Sequence, residues 1–318
     1  MRLLGDIEIS QVLDQQVVTE IVAAAFVAAS VKPTEGFRRP VLGNGASLHI
    51  VSGADQAGHF VTKLNVHASG STRRGIIVVQ AAASADVLAV LDSRLITLLR
   101  TAAVSALALR LFTVGKIEKL CFLGAGVQAE TQIRAMSMER ELGEVMVWSR
   151  DRSNANQLSK RLSDITECRI IDNIADGAAL ADVLVTCTRS SSPLFQKLSH
   201  FPKLIVAVGA DSPGKRELPT SAYKEATFVV DSIESCAAYG ELHHALEEGM
   251  TSPSAVHELG DVLSGRVPLE QLRDSRIIVD TTGTAVQDAA AALLALSRAT
   301  ELGLGSTVDL WAPGAIRA

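Results

Sequence analysis

The sequence predicts an α/β protein in which a mostly parallel, doubly wound sheet is joined to an α+β region that precedes it. Three observations carry this reading. From Cys121 onward, short apolar strands alternate with helical stretches, the pattern that builds a parallel sheet with helices on both faces. Between the first of these strands and its helix stands Gly124-Ala125-Gly126-Val127-Gln128-Ala129, a Gly-x-Gly-x-x-Ala turn. Residues 1 to about 112 look different, with short strand-like runs broken by Gly, Asn and Asp.

Taken in order, Gln11 to Ser30 reads as a leading helix. Strands are expected at Ser47–Ser52, His59–Asn65, Gly75–Gln80 and Val87–Asp92, followed by an almost wholly apolar helix from about Ser93 to Phe112. Ile117–Leu123 is strand-like and Gln128–Met138 helix-like, and Glu144–Trp148 follows at the spacing of a βαβ unit. Further strands are expected at Cys168–Ile171, Asp182–Cys187, Lys203–Val208, Thr227–Val230 and Arg276–Val279. The alanine-rich Ala285–Ala299 is helical and returns to the first region. The expected domains are therefore 1–112 with 285–318, and 113–284.

The glycine turn points to a bound dinucleotide. Gly124 allows the tight turn, Gly126 lets the backbone approach the pyrophosphate, and Ala129 keeps helix and strand close, so that the anion meets free N–H groups at the helix N-terminus. Small or polar residues end three other strands: Thr186 to Ser190, Gly209-Ala210-Asp211, and Asp280 to Gly283. Ligands of such sheets bind at these carboxyl ends.

The 318-residue chain is 47% apolar with a net charge of −5, which describes a globular protein large enough for two cores. It has no long basic run, and nucleic acid and membrane are excluded as main partners, since either needs a Lys/Arg patch. The apolar run Ile21–Val31 is too short to span a bilayer and follows Glu20 rather than a basic segment, so no export signal is read. The four cysteines form no Cys-x-x-Cys pair, and reduced core thiols in a cytoplasmic protein are expected. His243 and His244 are consecutive, about 100° apart on a helix, and no metal ligand set is read from them.

Four cations sit beside apolar or small residues instead of in a mixed charged face: Arg38, Arg39, Lys63 and Arg100. Strand alternation places Val61, Lys63 and Asn65 on one face. Lys63 is either an exposed strand lysine or a group that holds a carboxylate or donates a proton to a reacting nitrogen. Arg100, in an apolar helix, needs a bound anion or an internal ion pair. Of Arg38 and Arg39, next to Pro40, at most one faces a site and the other is a solvated loop residue. Asp211 is either a helix N-cap or a carboxylate that stabilises a developing iminium or orients water.

Val61-Thr62-Lys63, Leu98-Leu99-Arg100-Thr101-Ala102-Ala103, the Gly124–Ala129 turn, Val208 to Leu218 and Thr282 to Ala291 together resemble the ornithine cyclodeaminase and mu-crystallin family, from about residue 30 to residue 305. The resemblance implies a homodimer, an α+β substrate-binding and dimerisation domain, a Rossmann domain, and redox chemistry at the carbon–nitrogen bond of an amino acid or its imine. It implies that Arg38 or Arg39, Lys63 and Arg100 surround the substrate carboxylate, and that Lys63 and Asp211 are catalytic. Asp211 corresponds to an aspartate that is catalytic in cyclodeaminases and differs in mu-crystallin-like imine reductases. A family glutamate that grips a distal ammonium is replaced here by Leu48-His49-Ile50.

The expected coenzyme contacts are Thr101, Gly124, Ala125, Gly126, Val127, Gln128, Ser149, Arg150, Thr188, Gly209, Asp211 and Gly283. NAD-binding turns are followed about 20 residues later by an acidic residue for the ribose 2′-hydroxyl. Here the second strand ends in Trp148-Ser149-Arg150, so a preference for NADP(H) over NAD(H) is expected, with Asp151 as the residue opposing it. The leading expectation is an NAD(P)H-dependent reductase of a small cyclic imino acid, pyrroline-2-carboxylate or piperideine-2-carboxylate. Alternatives are an ornithine cyclodeaminase, an amino-acid dehydrogenase such as alanine dehydrogenase, and a coenzyme-binding protein without turnover.

Overall fold

Strands buried on both faces must be apolar throughout, and Val183–Thr186 and Leu204–Ala207 are buried at every residue. They lie in the middle of an eight-stranded parallel sheet. The computed structural model describes residues 1–32, 36–43, 46–68 and 73–310, with the backbone alone at 37–43 and 73. Along the chain the elements are β1 (Arg2–Leu4), α1 (Asp6–Val12), α2 (Gln15–Val31), β2 (Gly36–Gly43), β3 (Ala46–Ala54), β4 (His59–His67), β5 (Arg73–Ala81), β6 (Val87–Asp92) and α3 (Arg94–Phe112). There follow β7 (Ile117–Leu123), α4 (Val127–Glu139), β8 (Leu142–Trp148), α5 (Arg152–Arg161), β9 (Cys168–Ile170), α6 (Ile174–Leu180), β10 (Val183–Thr186), β11 (Leu204–Ala207), α7 (Thr220–Tyr223) and β12 (Ala226–Val230). The chain closes with α8 (Ile233–Tyr239), α9 (Glu241–Glu247), β13 (Val256–Glu258), α10 (Leu259–Leu263), β14 (Arg276–Asp280), α11 (Ala285–Glu301) and β15 (Ser306–Thr307).

Two compact units result. The first comprises Met1–Ala25, Lys32–Arg100 and Thr284–Ala318, the second Phe26–Val31 and Thr101–Gly283, so α3 passes from one to the other after Arg100. Helix α3 is long and apolar enough to cross a membrane, yet 67% of its 18-residue apolar stretch is buried inside the protein.

The first unit holds a seven-stranded sheet in the order β15-β1-β6-β5-β4-β3-β2. It is antiparallel except where β1 joins β6. Helix α11 lies against β2 to β5, and the pleat sends Val51, Val61, Ile77 and Val79 to a buried face. The opposite face keeps Phe60, Val66 and Ile76 exposed, beside half-buried Ile50, Leu64 and Val78.

In the second unit the sheet order is β13-β12-β14-β11-β10-β7-β8-β9, parallel throughout. The chain runs outward from β7 to β8 and β9, then returns to β10 on the other side of β7, which makes the β7/β10 boundary the topological switch point where such sheets bind ligands.

Two expectations are corrected. The leading helix is two helices bent by 83°, because Asp14 accepts a hydrogen bond from Val17 N (2.9 Å) and restarts the chain as the cap of α2. Gly36–Gly43, read as loop around Arg38 and Arg39, is a strand paired with β3 along its whole length. Pro40 disguised it; β2 is the edge of the sheet, where a residue without an N–H is tolerated. The short strands β1, β13 and β15 hold too few residues for a period to show.

Candidate active site

In the first unit the isolated cations share a counter-ion. Lys63 is 3% exposed and Arg100 7%, which removes the exposed-lysine reading. Lys63 Nζ lies 2.5 Å from Asp288 Oδ2, and Arg100 Nε 3.0 Å from Asp288 Oδ1. Arg100 Nη1 also donates to Gln287 Oε1 at 2.9 Å. The pleat directs Lys63 to the face covered by α11, and Gln287 and Asp288 are in that helix's first turn. Sequence reading had left Arg100 between a bound anion and an internal ion pair. The ion pair is present, and among the described residues two cations stand against the carboxylate of Asp288.

Arg38 pairs with Val51, which pairs with Lys63, whereas Arg39 pairs with Ile50, which pairs with Leu64. Arg38 is thus the member of the pair in the register row of Lys63; both side chains fall outside the described residues. His49 and His67 stack at 4.5 Å in β3 and β4, and Ser47 Oγ lies 3.1 Å from His49 Nε2.

In the second unit the switch point is built for close backbone approach. Gly124 follows β7 with φ of +125°, and a Cβ there would stand 2.3 Å from Cys187 O at the end of β10. No L-residue with a side chain fits. Gly126 is the N-cap of α4 with no side-chain cap, and a Cβ placed on it meets nothing within 4 Å, which leaves open space before the N-terminus of a 13-residue helix. Ala129 is fully buried. Val127, by contrast, is 68% exposed, and Gln128 follows it in the first turn of α4. These features fit a dinucleotide pyrophosphate.

At the end of β8, Ser149 is half-buried and Arg150 exposed. Asp151 accepts a hydrogen bond from Ser153 N (2.9 Å) as the N-cap of α5, and its bonds to Ser153 lower its carboxyl below the usual value. Thr101, 9% exposed, follows Arg100 in α3. Asp211 caps no helix. It sits in the loop after β11, paired with Lys215 and accepting from Ser212 Oγ at 3.2 Å.

Sequence reading missed a set of buried carboxylates that grip the loops at the carboxyl edge. Glu217 Oε1 accepts from Thr188 N (2.6 Å) and Oε2 from Gly209 N (2.9 Å). Glu241 accepts from Glu217 N (2.6 Å) and from Tyr223 Oη (2.6 Å). Asp231 accepts from Gly283 N and Thr281 Oγ1, both at 2.7 Å. Asp280 accepts from Leu242 N at 2.9 Å. Burial and the charge of Glu241 push Glu217 up to about 7 against the pull of its Thr188 bond. Burial also raises Glu241 and, further, Asp280. Buried acids need N–H or O–H donors, and most of the donors here are backbone N–H groups, for which the sequence carries no signal.

The histidine reading overlooked Glu247, four residues after His243; His243, His244 and Glu247 bring three potential donor atoms within 4.8 Å. One ring nitrogen of each histidine is engaged by a backbone carbonyl, His243 by Ala237 O and His244 by Lys215 O. The four cysteines are free thiols, and burial raises Cys121 to about 12 and Cys168 to about 11.

The profile of the ornithine cyclodeaminase/mu-crystallin family matches residues 61–302. The chain belongs to that family. It is 35% identical over 210 residues to the ketimine reductase mu-crystallin of Mus musculus, covering 66% of this chain and 64% of that one. With a delta(1)-pyrroline-2-carboxylate reductase of Bacillus cereus it shares 27% over 243 residues, 75% of each chain. An archaeal alanine dehydrogenase dimer with bound NAD superposes with a TM-score of 0.89 at 25% identity, over 98% of this chain and 99% of that one.

Proposed function

We propose that this protein is a cytoplasmic, homodimeric reductase that uses NAD(P)H to convert a small cyclic imino acid, pyrroline-2-carboxylate or piperideine-2-carboxylate, into proline or pipecolate. The observation that carries the reading is the buried pair of cations, Lys63 and Arg100, which among the described residues face one carboxylate, that of Asp288. Two cations beside it suit a substrate carboxylate, which Arg100 holds by a charge-assisted bond. Arg38, in the register row of Lys63, completes the cation set in preference to Arg39.

Held at its carboxylate, the substrate has a fixed orientation, which supplies much of the rate. Lys63 keeps the ring nitrogen protonated, with Asp211 orienting water as a second proton source. The reduced nicotinamide, when bound, supplies the hydride that adds to the C=N carbon, while the nitrogen keeps the former π electron pair as an amine. Gly124 and Gly126 take the pyrophosphate, with Ala125, Val127 and Gln128 in the same turn. Thr101, Ser149, Thr188, Gly209 and Gly283 contribute further coenzyme contacts. A diamino acid substrate is disfavoured because β3, β4 and β5 carry no acidic residue to receive a distal ammonium. Purified protein is expected to oxidise NADPH with pyrroline-2-carboxylate and to release no ammonia from ornithine with NAD. The reverse pattern would establish the cyclodeaminase.

Coenzyme choice rests on Arg150. It is exposed and makes no hydrogen bond or ion pair among the described residues, whereas Asp151 is committed to its cap. NADPH is expected to have a KM at least about tenfold below that of NADH, since a charge-assisted contact contributes about 1.5–3 kcal/mol. Arg150→Ala should erase the difference. Equal KM values in the parent protein would refute the assignment.

Dimerisation is assigned to the outer face of the first unit's sheet, where Phe60, Val66 and Ile76 are 50%, 45% and 41% exposed. A contiguous apolar patch on a sheet marks an interaction surface. Ile76→Glu should shift the mass in analytical ultracentrifugation from two chains to one. A parent protein that is already monomeric would overturn this assignment.

A further inference from the structure

Glu217 is fully buried and touches no expected ligand, yet its carboxylate ties together two loops that leave adjacent parallel strands. Oε1 accepts the N–H of Thr188, just past β10, and Oε2 that of Gly209, just past β11. Its own backbone is fixed in turn: Glu217 N and Leu218 N donate to Glu241, at 2.6 and 3.3 Å. The packing allows no slack. A Cβ on Gly209 would lie 2.4 Å from Glu217 Oε2 and 2.5 Å from Thr188 O, so glycine at 209 is what lets the carboxylate reach both loops.

The neighbour of Thr188 connects this tie to the glycine turn. Cys187 O is the atom that a Cβ on Gly124 would strike at 2.3 Å, and Cys187 N donates to Leu123 O at 2.8 Å. Displacing Thr188 therefore displaces the wall on which the Gly124 turn rests. Both ends of the tie are backbone N–H groups, so only a group with two acceptor oxygens satisfies them at once. A glutamine has one acceptor and turns an NH2 toward the other N–H.

We infer that Glu217 is a positioning residue for the coenzyme: a carboxylate clamp that sets the Cys187–Ser190 and Gly209–Asp211 loops against the Gly124 turn. This rests on the reading of the second unit as a dinucleotide site. The test is isothermal titration of the full-length protein with NADPH and with NADH. For whichever dinucleotide the parent binds, Glu217→Gln should raise Kd on the order of tenfold, since hydrogen bonds to charged groups are the stronger class. Gly209→Ala pushes on the same carboxylate without changing its charge and should weaken binding similarly; it also answers the question should Glu217→Gln fail to fold. Leu162→Ala, fully buried at the C-terminal end of α5 in the same unit, serves as the matched destabilised variant, with Kd within twofold of the parent. Unchanged Kd in Glu217→Gln and Gly209→Ala, or equal weakening by Leu162→Ala, would overturn the clamp alone. A parent protein that binds neither dinucleotide would overturn the coenzyme reading and the clamp with it.

Discussion

Asp288→Ala should destabilise the protein by about 3–5 kcal/mol, the range found when one partner of a buried ion pair is removed. Asp288 is 1% exposed and faces two cations that are themselves 3% and 7% exposed. Without it, Lys63 and Arg100 repel one another where water cannot screen them. Domains of this kind have roughly 5–15 kcal/mol in total, so the loss is a large fraction. Arg273→Ala is the comparison. Its contact with Glu270 is 3.6 Å long, and the two side chains are 73% and 72% exposed, which limits the pair to about 1 kcal/mol or less. Urea denaturation followed by circular dichroism separates the cases: the transition should move far toward lower denaturant in Asp288→Ala and barely in Arg273→Ala. Equal shifts would mean that the Lys63–Asp288–Arg100 cluster is solvated and the buried-charge argument fails.

That cluster also shows how far the sequence could be read. Arg100 declared itself because an arginine in an apolar helix needs a partner, and the strand period put Lys63 on the face of Val61, which is the buried one. The same reasoning applied to Ala285–Ala299 would have singled out Asp288, an acid among alanines. The parallel sheet was legible because its central strands are largely apolar and alternate with helical stretches, and the bounds of β6 and β7 fall where composition put them. Strand β2 was not, because Pro40 and two arginines imitate a loop when the neighbouring strand is unknown. The Glu217 and Glu241 contacts were hidden for another reason. They join residues 8 to 29 positions apart through backbone N–H groups, and a backbone donor leaves no trace in the sequence.

Arg100→Ala and Lys63→Ala should each lower kcat/KM at least about tenfold, because losing one charge-assisted contact at the transition state costs roughly 1.5–3 kcal/mol. The two losses differ in kind. Under the proposed function the substrate carboxylate keeps its charge through the reaction, so Arg100 would bind ground state and transition state alike and its removal should fall on KM. Lys63 would additionally hold a proton at the reacting nitrogen, so its removal should also lower kcat. Asp288 adds to both effects: with one cation gone, its carboxylate draws the remaining cation to itself, at 2.5 Å from Lys63 or 3.0 Å from Arg100. Gln287→Ala removes only the 2.9 Å bond that steadies the Arg100 guanidinium and should weaken turnover by less than either charge deletion. Because Lys63→Ala and Arg100→Ala disturb a buried cluster, the kinetics are to be measured on protein shown to be folded, and Arg100→Lys provides the charge-preserving check. Lysine restores the positive charge and loses the planar fork, so it should recover part of the KM defect. Steady-state rates within twofold of the parent for both alanine variants would remove these cations from the site and leave the dinucleotide-binding sheet without its proposed substrate.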